Sequence, residues 1–294
     1  MNDAVIVSGA RTPVGRFGGA FKDVSAPDLG AIAIKAAIER AGISPDMVDE
    51  VVLGNAIQAA EAGYAARLAS LKSGIPHETP TIAVNRQCSS GLEAINMAAQ
   101  LVRTGEAEIV VAGGTENMSQ VPFLIEYRAR FDGLRMGNSQ LVDGLTEGLG
   151  CPVNRYHMGV TAENVAERFS VSRSDQDELA LISHHRASSA ITQGRFSDQI
   201  TEVSVPQRRG DAVIVTEDEG PRADTTIEGL ANLRPVFKKD GTVTAGNASS
   251  INDGSAAVVM MSATKAADLG LKPRMKWHTR GIAGVEPAVM GTGP

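Results

Sequence analysis

The residue of this sequence with the clearest potential for chemistry is Cys88, which lies in the segment NRQCSSG at positions 85–91. A short β-like run at 81–84 precedes the segment, and apolar residues at helical spacing follow it from Leu92 to Val102. Cys88 is therefore predicted at the amino end of a helix, where free N–H groups and the helix dipole stabilise negative charge. Such a setting favours the thiolate, which is the nucleophilic form of cysteine. A buried, inert cysteine at a strand–helix junction is the alternative that position alone leaves open.

Other residues of types that could do chemistry are expected to be structural. Cys151, in the loop GLGCPVN, is not predicted at a helix start, and the two cysteines lack metal-ligand spacing. His184-His185 falls within a polar helix and is expected at the surface, with no metal implied. Gly113-Gly114 is expected to form a turn rather than a phosphate cradle.

Strand and helix signals alternate along the first part of the chain, and a strand signal returns near its end. This alternation predicts an α/β domain with a mostly parallel or mixed sheet. The predicted strands are 4–7, 51–54, 81–84, 108–112 and 256–261, and the predicted helices are 28–41, 65–73 and the one that follows Cys88 and ends at Gly105.

The middle of the chain, from about 117 to 246, is interpreted as a large insertion over one face of that sheet. It holds longer polar helices such as 174–194 and irregular stretches such as 210–224. Its charge run Glu217-Asp218-Glu219 is expected to be solvated surface. After the insertion, 274–284 is predicted to be the opening strand of a further α/β unit.

Composition limits the function classes. The 294 residues are 43% hydrophobic and 21% charged, as in an ordinary globular protein, and the net charge of −6 argues against a dedicated nucleic-acid binder. The first residues carry no targeting pattern, and no apolar run approaches the length of a membrane span. With only two cysteines, the sequence predicts a cytoplasmic protein without a structural disulfide.

Five ordered blocks resemble the signatures of the thiolase family and extend over almost the whole chain. They are IVSGARTPVGRFGGAF, NRQCSSGLEAI, GGTENMSQVPF, YHMGVTAENVAERF and VTAGNASSINDGSAAV. The resemblance implies a layered αβαβα fold of two βαβαβαββ halves, with a loop domain interrupting the first half. The first half would comprise 1–116 and 247–268 and the loop domain 117–246, while 269–294 would only begin the second half. A related condensing enzyme, such as a ketoacyl synthase, is the weaker alternative.

The resemblance also implies ping-pong acyl transfer with Cys88 as the nucleophile and with CoA and acyl-CoA as substrates, without a tightly bound cofactor or a metal. Asn247 and Asn252 are expected to hold a turn. Packing against the core is the alternative for His157, Met158, Phe237 and Met290, and an exposed loop arginine without a ligand is the alternative for Arg222. The positions that match substrate-binding residues are His157 and Met158 for the pantetheine and acyl pocket, Ser249 for pantetheine, Arg222 and Phe237 toward the adenine end of CoA, and Met290 near the acyl group.

Three blocks that the family carries do not occur in the 294 residues: an Asn-Glu-Ala-Phe block, a Gly-His-Pro block and a Cys-x-Gly block. In the family they activate the nucleophile, polarise the thioester and exchange the α-proton. The favoured hypothesis is a split enzyme, in which a second polypeptide supplies these blocks within a homo- or hetero-oligomer. A non-catalytic CoA- or acyl-binding subunit and an incomplete gene product are the alternatives. The direction of reaction and the acyl chain length stay open.

Overall fold

The computed structural model of the protein describes residues 3–134 and 136–293, which form two compact units. The first unit comprises the described residues up to Gln120, Gly194–Gly220 and Ile251–Gly281. The second comprises Val121–Gln193, Pro221–Ser250 and the described residues from Ile282. Residues 194–220 therefore fold with the first unit, although they fall inside the predicted loop domain of 117–246. The domain boundaries implied by the family resemblance stay a prediction.

The described residues form both strands and α-helices. The strands are β1 (Ala4–Arg11), β2 (Gly15–Arg16), β3 (Glu50–Gly54), β4 (Thr81–Val84), β5 (Ile109–Asn117), β6 (Phe123–Ile125), β7 (Leu141–Asp143), β8 (Val203–Val205), β9 (Val213–Val215), β10 (Asn252–Ser262) and β11 (Met275–Lys276). The helices are α1 (Ala26–Ala41), α2 (Ala65–Lys72), α3 (Ser90–Thr104), α4 (Ala129–Asp132), α5 (Gly144–Gly148), α6 (Met158–Arg168), α7 (Arg173–Thr192), α8 (Ile227–Ala231) and α9 (Ala263–Asp268).

One mixed sheet organises the first unit. Its strand order is β11-β1-β10-β5-β3-β4, with β2 paired to β10. β10 runs antiparallel to β1 and β5, whereas β3 runs parallel to β4 and β5. The strand 256–261 predicted after the insertion therefore returns to the middle of the first sheet, as expected. Two antiparallel hairpins, β6–β7 and β8–β9, are separate from this sheet.

Helices cover both faces of the sheet, which explains why its central strands are apolar almost throughout. Successive side chains of β3 alternate between the two faces. Val51 and Leu53 pack with Ile34 of α1, while Val52 packs with Ala98 of α3. The sheet therefore fixes α3, and with it the segment that carries Cys88.

Two predicted elements differ from the structure. Gly113-Gly114 lies inside β5, not in a turn, because these glycines pair with Ala257 and Ala256 of β10. The predicted strand 274–284 is reduced to β11, which pairs with Val5 and Ile6 of β1 at the sheet edge. Residues 277–286 have no regular secondary structure.

In the charge run 217–219, Glu217 is exposed as expected, but Asp218 and Glu219 are not solvated surface charges. Asp218 forms a bidentate ion pair with Arg11, with Nη1–Oδ1 and Nη2–Oδ2 distances of 2.7 and 3.0 Å. Only 13% of the Asp218 side chain is exposed. The carboxylate of Glu219 accepts the backbone N–H groups of Arg16 and Ala20. These two carboxylates hold the loop after β1, so their charges serve the fold of the first unit.

Candidate functional site

Cys88 lies in a tight turn, the nucleophile turn, which we define as residues 85–89 between β4 and α3. Helix α3 begins at Ser90 with Ser89 as its N-cap, so Cys88 lies one residue before the cap. The side chain of Ser89 makes no capping hydrogen bond, which leaves the positive end of the helix open toward the turn. Cys88 is exposed, and its thiol is free.

Backbone and side-chain hydrogen bonds give the nucleophile turn its shape. The Oδ1 atom of Asn85 accepts the N–H of Gln87 at 3.0 Å. Ser90 Oγ accepts the N–H of Arg86 at 2.9 Å and donates to the carbonyl of Gln87 at 2.5 Å. Gln87 has a φ of 50°, in the left-handed region that side-chain-bearing residues rarely adopt.

A glycine at the end of β3 allows α3 to approach the sheet at this point. A Cβ added at Gly54 would come within 2.5 Å of the carbonyl carbon of Ser90 and 2.6 Å of the amide nitrogen of Gly91. Only glycine leaves room for this contact between the strand and the first turn of the helix. Gly54 therefore sets the distance between the sheet and the nucleophile turn.

A buried carboxylate ties α3 to its surroundings just after the turn. Glu93 is 6% exposed, and its two oxygens contact Arg86 Nη1 at 3.2 Å and Arg280 Nη1 at 3.3 Å. One turn further along α3, the Oδ1 atom of Asn96 accepts the indole N–H of Trp277 at 3.0 Å. The segment 277–280 is thus bound along α3 by a charged and a neutral contact.

Two further carboxyl groups lie near the carboxyl end of β5. Burial raises the pKa of Glu116. The hydrogen bonds that its carboxylate accepts, including one from the N–H of Ala56, lower the pKa but do not outweigh burial. Burial likewise raises the pKa of Asp253, although Ser119 donates two hydrogen bonds to that carboxylate. Both groups anchor loops beside the sheet end.

The other predicted site residues belong to the second unit, and three of them lie together. His157 is the N-cap of α6, where its Nδ1 accepts the N–H of Gly159 at 3.0 Å. Its ring stacks on Phe237 with a centroid distance of 4.8 Å and an interplanar angle of 13°. Met158 is the first residue of α6. A Cβ at Gly159 would reach the Phe237 ring at 2.3 Å, so glycine is required for the ring to lie there.

Met290 lies half-buried in the short 3-10 turn Pro287–Thr292, which packs on α6. The amide of Asn164 on α6 donates to the carbonyl of Ala288 at 2.8 Å, and Arg168 pairs with Glu286 at 2.6 Å. These contacts join the turn that carries Met290 to the helix that begins with Met158.

Arg222 and Ser249 are both exposed. The backbone of Arg222 is held by α7, because its N–H donates to Nδ1 of His184 at 3.2 Å. His185 Nε2 also bonds the carbonyl of Thr225 at 3.1 Å, so the two histidines, expected only as surface residues, shape the Arg222 loop. The hydroxyl of Ser249 contacts the carbonyl of Ser250 at 3.3 Å.

The remaining polar candidates are structural. Asn247 holds a turn as predicted: its Oδ1 accepts the N–H of Thr244 at 2.7 Å, and its amide donates to Asp177 at 2.8 Å. Asn252 instead begins β10 and pairs opposite Arg16. Cys151 is 4% exposed, consistent with the predicted structural role. Among the described residues, no cluster of acidic, histidine and cysteine side chains could hold a metal ion, and no helix combines the length and apolarity that a membrane crossing requires.

Sequence reasoning missed the supporting residues. Asn85 and Glu93 fall within the cysteine motif and Glu116 within GGTENMSQVPF, and the motifs alone assign none of them a role. Glu93 is the second residue of the segment LEAIN at 92–96, and its place among apolar residues could have marked it as a buried charge that needs a partner. Its partner Arg280 is distant in sequence, and no local pattern indicates it.

Comparison with known proteins agrees with this architecture. A family model described as the thiolase N-terminal domain matches residues 4–264. The chain is 48% identical over 295 aligned positions to a probable acetyl-CoA acyltransferase of Staphylococcus aureus strain N315, with all of this chain and 75% of the relative covered. It is 49% identical, with the same coverage, to an acetyl-CoA acetyltransferase of Pseudomonas aeruginosa.

Two solved structures share the fold. The acetyl-CoA acetyltransferase of Bacillus anthracis matches with a TM-score of 0.96 at 44% identity, over all of this chain and 74% of that one. Human mitochondrial 3-ketoacyl-CoA thiolase, solved in complex with CoA, matches with a TM-score of 0.93 at 39% identity, over all of this chain and 73% of that one. The predicted thiolase-like α/β fold is confirmed by these matches. With a matching family model and relatives this similar along its whole length, the chain belongs to the thiolase family.

Proposed function

We propose that this chain carries out thiolase-type acyl transfer with Cys88 as the nucleophile. The sulfur of Cys88 attacks the carbonyl carbon of an acyl-CoA, the thioester bond to CoA breaks, and CoA leaves as its thiolate, which takes up a proton. The acyl group is then held as a thioester on Cys88. In condensation it passes to the α-carbon of acetyl-CoA, which gives up a proton as the new carbon–carbon bond forms. In thiolysis the acyl-Cys88 thioester forms instead from a 3-ketoacyl-CoA: the sulfur attacks the 3-keto carbon, the bond between the α- and β-carbons breaks, and the α-carbon takes up a proton to leave as acetyl-CoA. The acyl group then passes from Cys88 to the thiol of CoA.

The observation that carries this proposal is the contrast between the two thiols. Cys88 is exposed in a strained turn at the open amino end of α3, whereas Cys151 is buried. An accessible thiol beside a helix amino end has the electrostatic surroundings that activate cysteine nucleophiles. The CoA complex of the human relative supports CoA thioesters as the substrate class.

We further propose that His157, Met158, Arg222, Phe237, Ser249 and Met290 contact the CoA substrate. The stacked His157–Phe237 pair offers a flat apolar surface beside the start of α6. Because Nδ1 of His157 accepts a backbone N–H, the proton of its neutral ring is on Nε2, which can donate to a substrate amide or carbonyl. Arg222 is exposed on a loop held by α7 and supplies positive charge for a phosphate.

The remaining chemistry must come from outside these 294 residues. In the part of the chain that the structure describes, Cys88 Sγ has no hydrogen-bonded base, and the Asn-Glu-Ala-Phe, Gly-His-Pro and Cys-x-Gly blocks are absent from the sequence. A base and an oxyanion-stabilising group each contribute orders of magnitude to acyl transfer. We propose that a second polypeptide supplies them and that catalytic turnover requires it.

Two experiments test these proposals separately. Thiolysis of acetoacetyl-CoA is assayed with the purified chain, with the assembled protein from its source, and with the assembled Cys88→Ala variant. We expect activity only in the assembled wild type; turnover by the isolated chain would refute the need for a partner. Native mass spectrometry of the source protein is expected to show a co-purifying chain, and a single longer polypeptide in its place would contradict the split arrangement.

A non-catalytic CoA-binding subunit is the second candidate, and the missing base beside Cys88 favours it. It predicts that the assembled protein binds CoA but that Cys88→Ala leaves its biological activity unchanged. The exposed thiol in its strained turn argues for the first candidate, because a binding subunit has no need to maintain that geometry.

A further inference from the structure

Gln87, the residue immediately before Cys88, is held in an unfavourable backbone conformation. Its φ of 50° places it in the left-handed region, where a Cβ crowds the following carbonyl and costs free energy. Such a conformation persists only where the surrounding contacts impose it. Since the direction of the chain at Gln87 determines where Cys88 projects, those contacts also determine the position of the thiol.

Asn85 makes a contact that imposes the conformation directly. Its Oδ1 atom accepts the N–H of Gln87 at 3.0 Å, and its Nδ2 atom donates to the carbonyl of Ala56 at 2.9 Å. One side chain therefore joins the nucleophile turn to the loop after β3. The amide is suited to this because it carries an acceptor and a donor on one planar group.

The loop at the other end of this link is itself fixed to the sheet. The N–H of Ala56 donates to the Oε2 atom of Glu116 at 2.7 Å, and the amide of Asn55 donates to the Oε1 atom at 3.0 Å. The backbone N–H of Asn55 also bonds the carbonyl of Val84, the last residue of β4. Asn85 thus holds the turn against a loop anchored to β5 by the half-buried carboxylate of Glu116.

We propose that Asn85 is a positioning residue for Cys88: it keeps Gln87 in the left-handed conformation and so holds the thiol at the open amino end of α3. This inference rests on the proposed function, in which Cys88 is the nucleophile. Without the Asn85 amide, the turn relaxes toward an unstrained conformation, and the thiol leaves its position before the first turn of α3.

The reactivity of the thiol tests this without requiring turnover. The rate of Cys88 modification by iodoacetamide at neutral pH is measured by peptide mass spectrometry in the wild type, Asn85→Ala, Gln87→Gly and the double variant. Cys151 serves as an internal control, because a buried thiol becomes reactive only when its surroundings open. Asn232→Ala, at an exposed asparagine of the second unit, is the matched substitution control.

We expect Asn85→Ala to slow modification of Cys88 roughly three- to tenfold, as lost hydrogen bonds of ordinary strength and a weakened helix-end interaction would produce. Gln87→Gly should restore most of the rate in the double variant, because glycine adopts the left-handed conformation without strain. An unchanged or faster rate in Asn85→Ala, or no recovery in the double variant, would overturn the proposal. Faster labelling of Cys151 in Asn85→Ala would also overturn it, because it would show that the substitution opens the protein rather than displacing Cys88 alone.

A second readout separates positioning from binding. In the assembled enzyme, Asn85→Ala should lower kcat with little change in KM, and the double variant should recover kcat; a rise in KM alone would contradict positioning. If assembled Cys88→Ala stays active, the proposed function fails while the modification rates still report on Asn85. If Cys88→Ala is inactive but Asn85→Ala reacts at the wild-type rate, only the positioning inference fails.

Discussion

Cys88 and Cys151 are two residues of one type in different surroundings. Cys88 is exposed before α3, and Cys151 is packed within the second unit. The sequence predicted that Cys88, unlike Cys151, lies at a helix start, because a small-residue turn followed by an amphipathic helix indicates one, but it left a buried Cys88 open. It could not predict that Gln87 is left-handed or that Asn85 bonds it, since both depend on the loop after β3.

At the same scale, Arg222 gives a prediction about substrate binding. Replacing Arg222 with alanine removes an exposed guanidinium that we propose contacts a phosphate of CoA. The KM for CoA in thiolysis should rise roughly ten- to hundredfold while kcat stays nearly constant, because a charged hydrogen bond of this kind is worth about 1.5–3 kcal/mol. Arg234→Ala, also exposed in the second unit, is the control and should leave both constants near wild type. Equal effects of the two substitutions would argue against a specific contact.

Glu116 gives a prediction about pH. Burial raises its pKa above the unfolded value of 4.5 despite the hydrogen bonds it accepts. As pH rises from 4.5 through the folded-state pKa, the native state keeps a proton that the unfolded state has released, so this group's contribution to stability falls. The free energy of unfolding of the wild type, minus that of Glu116→Gln, should therefore decrease over that range. Denaturant titrations at several pH values measure it, and a constant or rising difference would contradict the assignment.

Glu93 links the residue scale to the element scale, because it joins α3 to the segment 277–280. Glu93→Ala would leave Arg86 and Arg280 without their shared partner. We expect the free energy of unfolding to fall by about 1–3 kcal/mol, because the substitution removes the contacts of a buried carboxylate with two charged partners. Glu39→Ala is the control: its side chain is 64% exposed and 3.9 Å from Lys35, and such surface pairs are worth about 0–1 kcal/mol. Similar losses for both variants would show that the Glu93 contacts contribute little.

The approach of α3 to β3 is a property of elements, and Gly54 tests it. Gly54→Ala places a Cβ within 2.5 Å of the Ser90 backbone, so the helix start must shift. We expect a loss of about 1–3 kcal/mol in the free energy of unfolding, because an overpacked site typically costs this much. We also expect slower modification of Cys88, because the turn that carries it moves with the helix start. Gly63→Ala, where an added Cβ meets no atom within 4 Å, is the control. An unperturbed Cys88 in Gly54→Ala would contradict the positional role of this contact.

Element prediction succeeded where periodicity was strong. The central strands and the three helices of the first unit follow from apolar runs and from spacing, and Gly42 and Gly105 end α1 and α3 in left-handed conformations. It failed where tertiary pairing decided the outcome. β5 runs through Gly113-Gly114 because β10 pairs along its length, and 277–284 lacks regular structure although a strand was predicted over 274–284.

At the scale of the whole molecule, sequence blocks carried more information than any single pattern. The family could be inferred from five blocks in order, and the sequence and structure matches confirm it. Long-range contacts could not be inferred: Asp218 and Glu219 resembled solvated charge, yet they hold the loop after β1, some two hundred positions away in sequence.

The most direct test of the central claim is detection of an acyl group on Cys88. The assembled protein is incubated with acetyl-CoA that is isotopically labelled in the acetyl group, quenched with acid and digested, and the Cys88 and Cys151 peptides are analysed by mass spectrometry. The label should appear on the Cys88 peptide alone, disappear when free CoA is added, and be absent from Cys88→Ala. Label on another residue, or acyl transfer by Cys88→Ala at the wild-type rate, would contradict the assignment of Cys88 as the nucleophile.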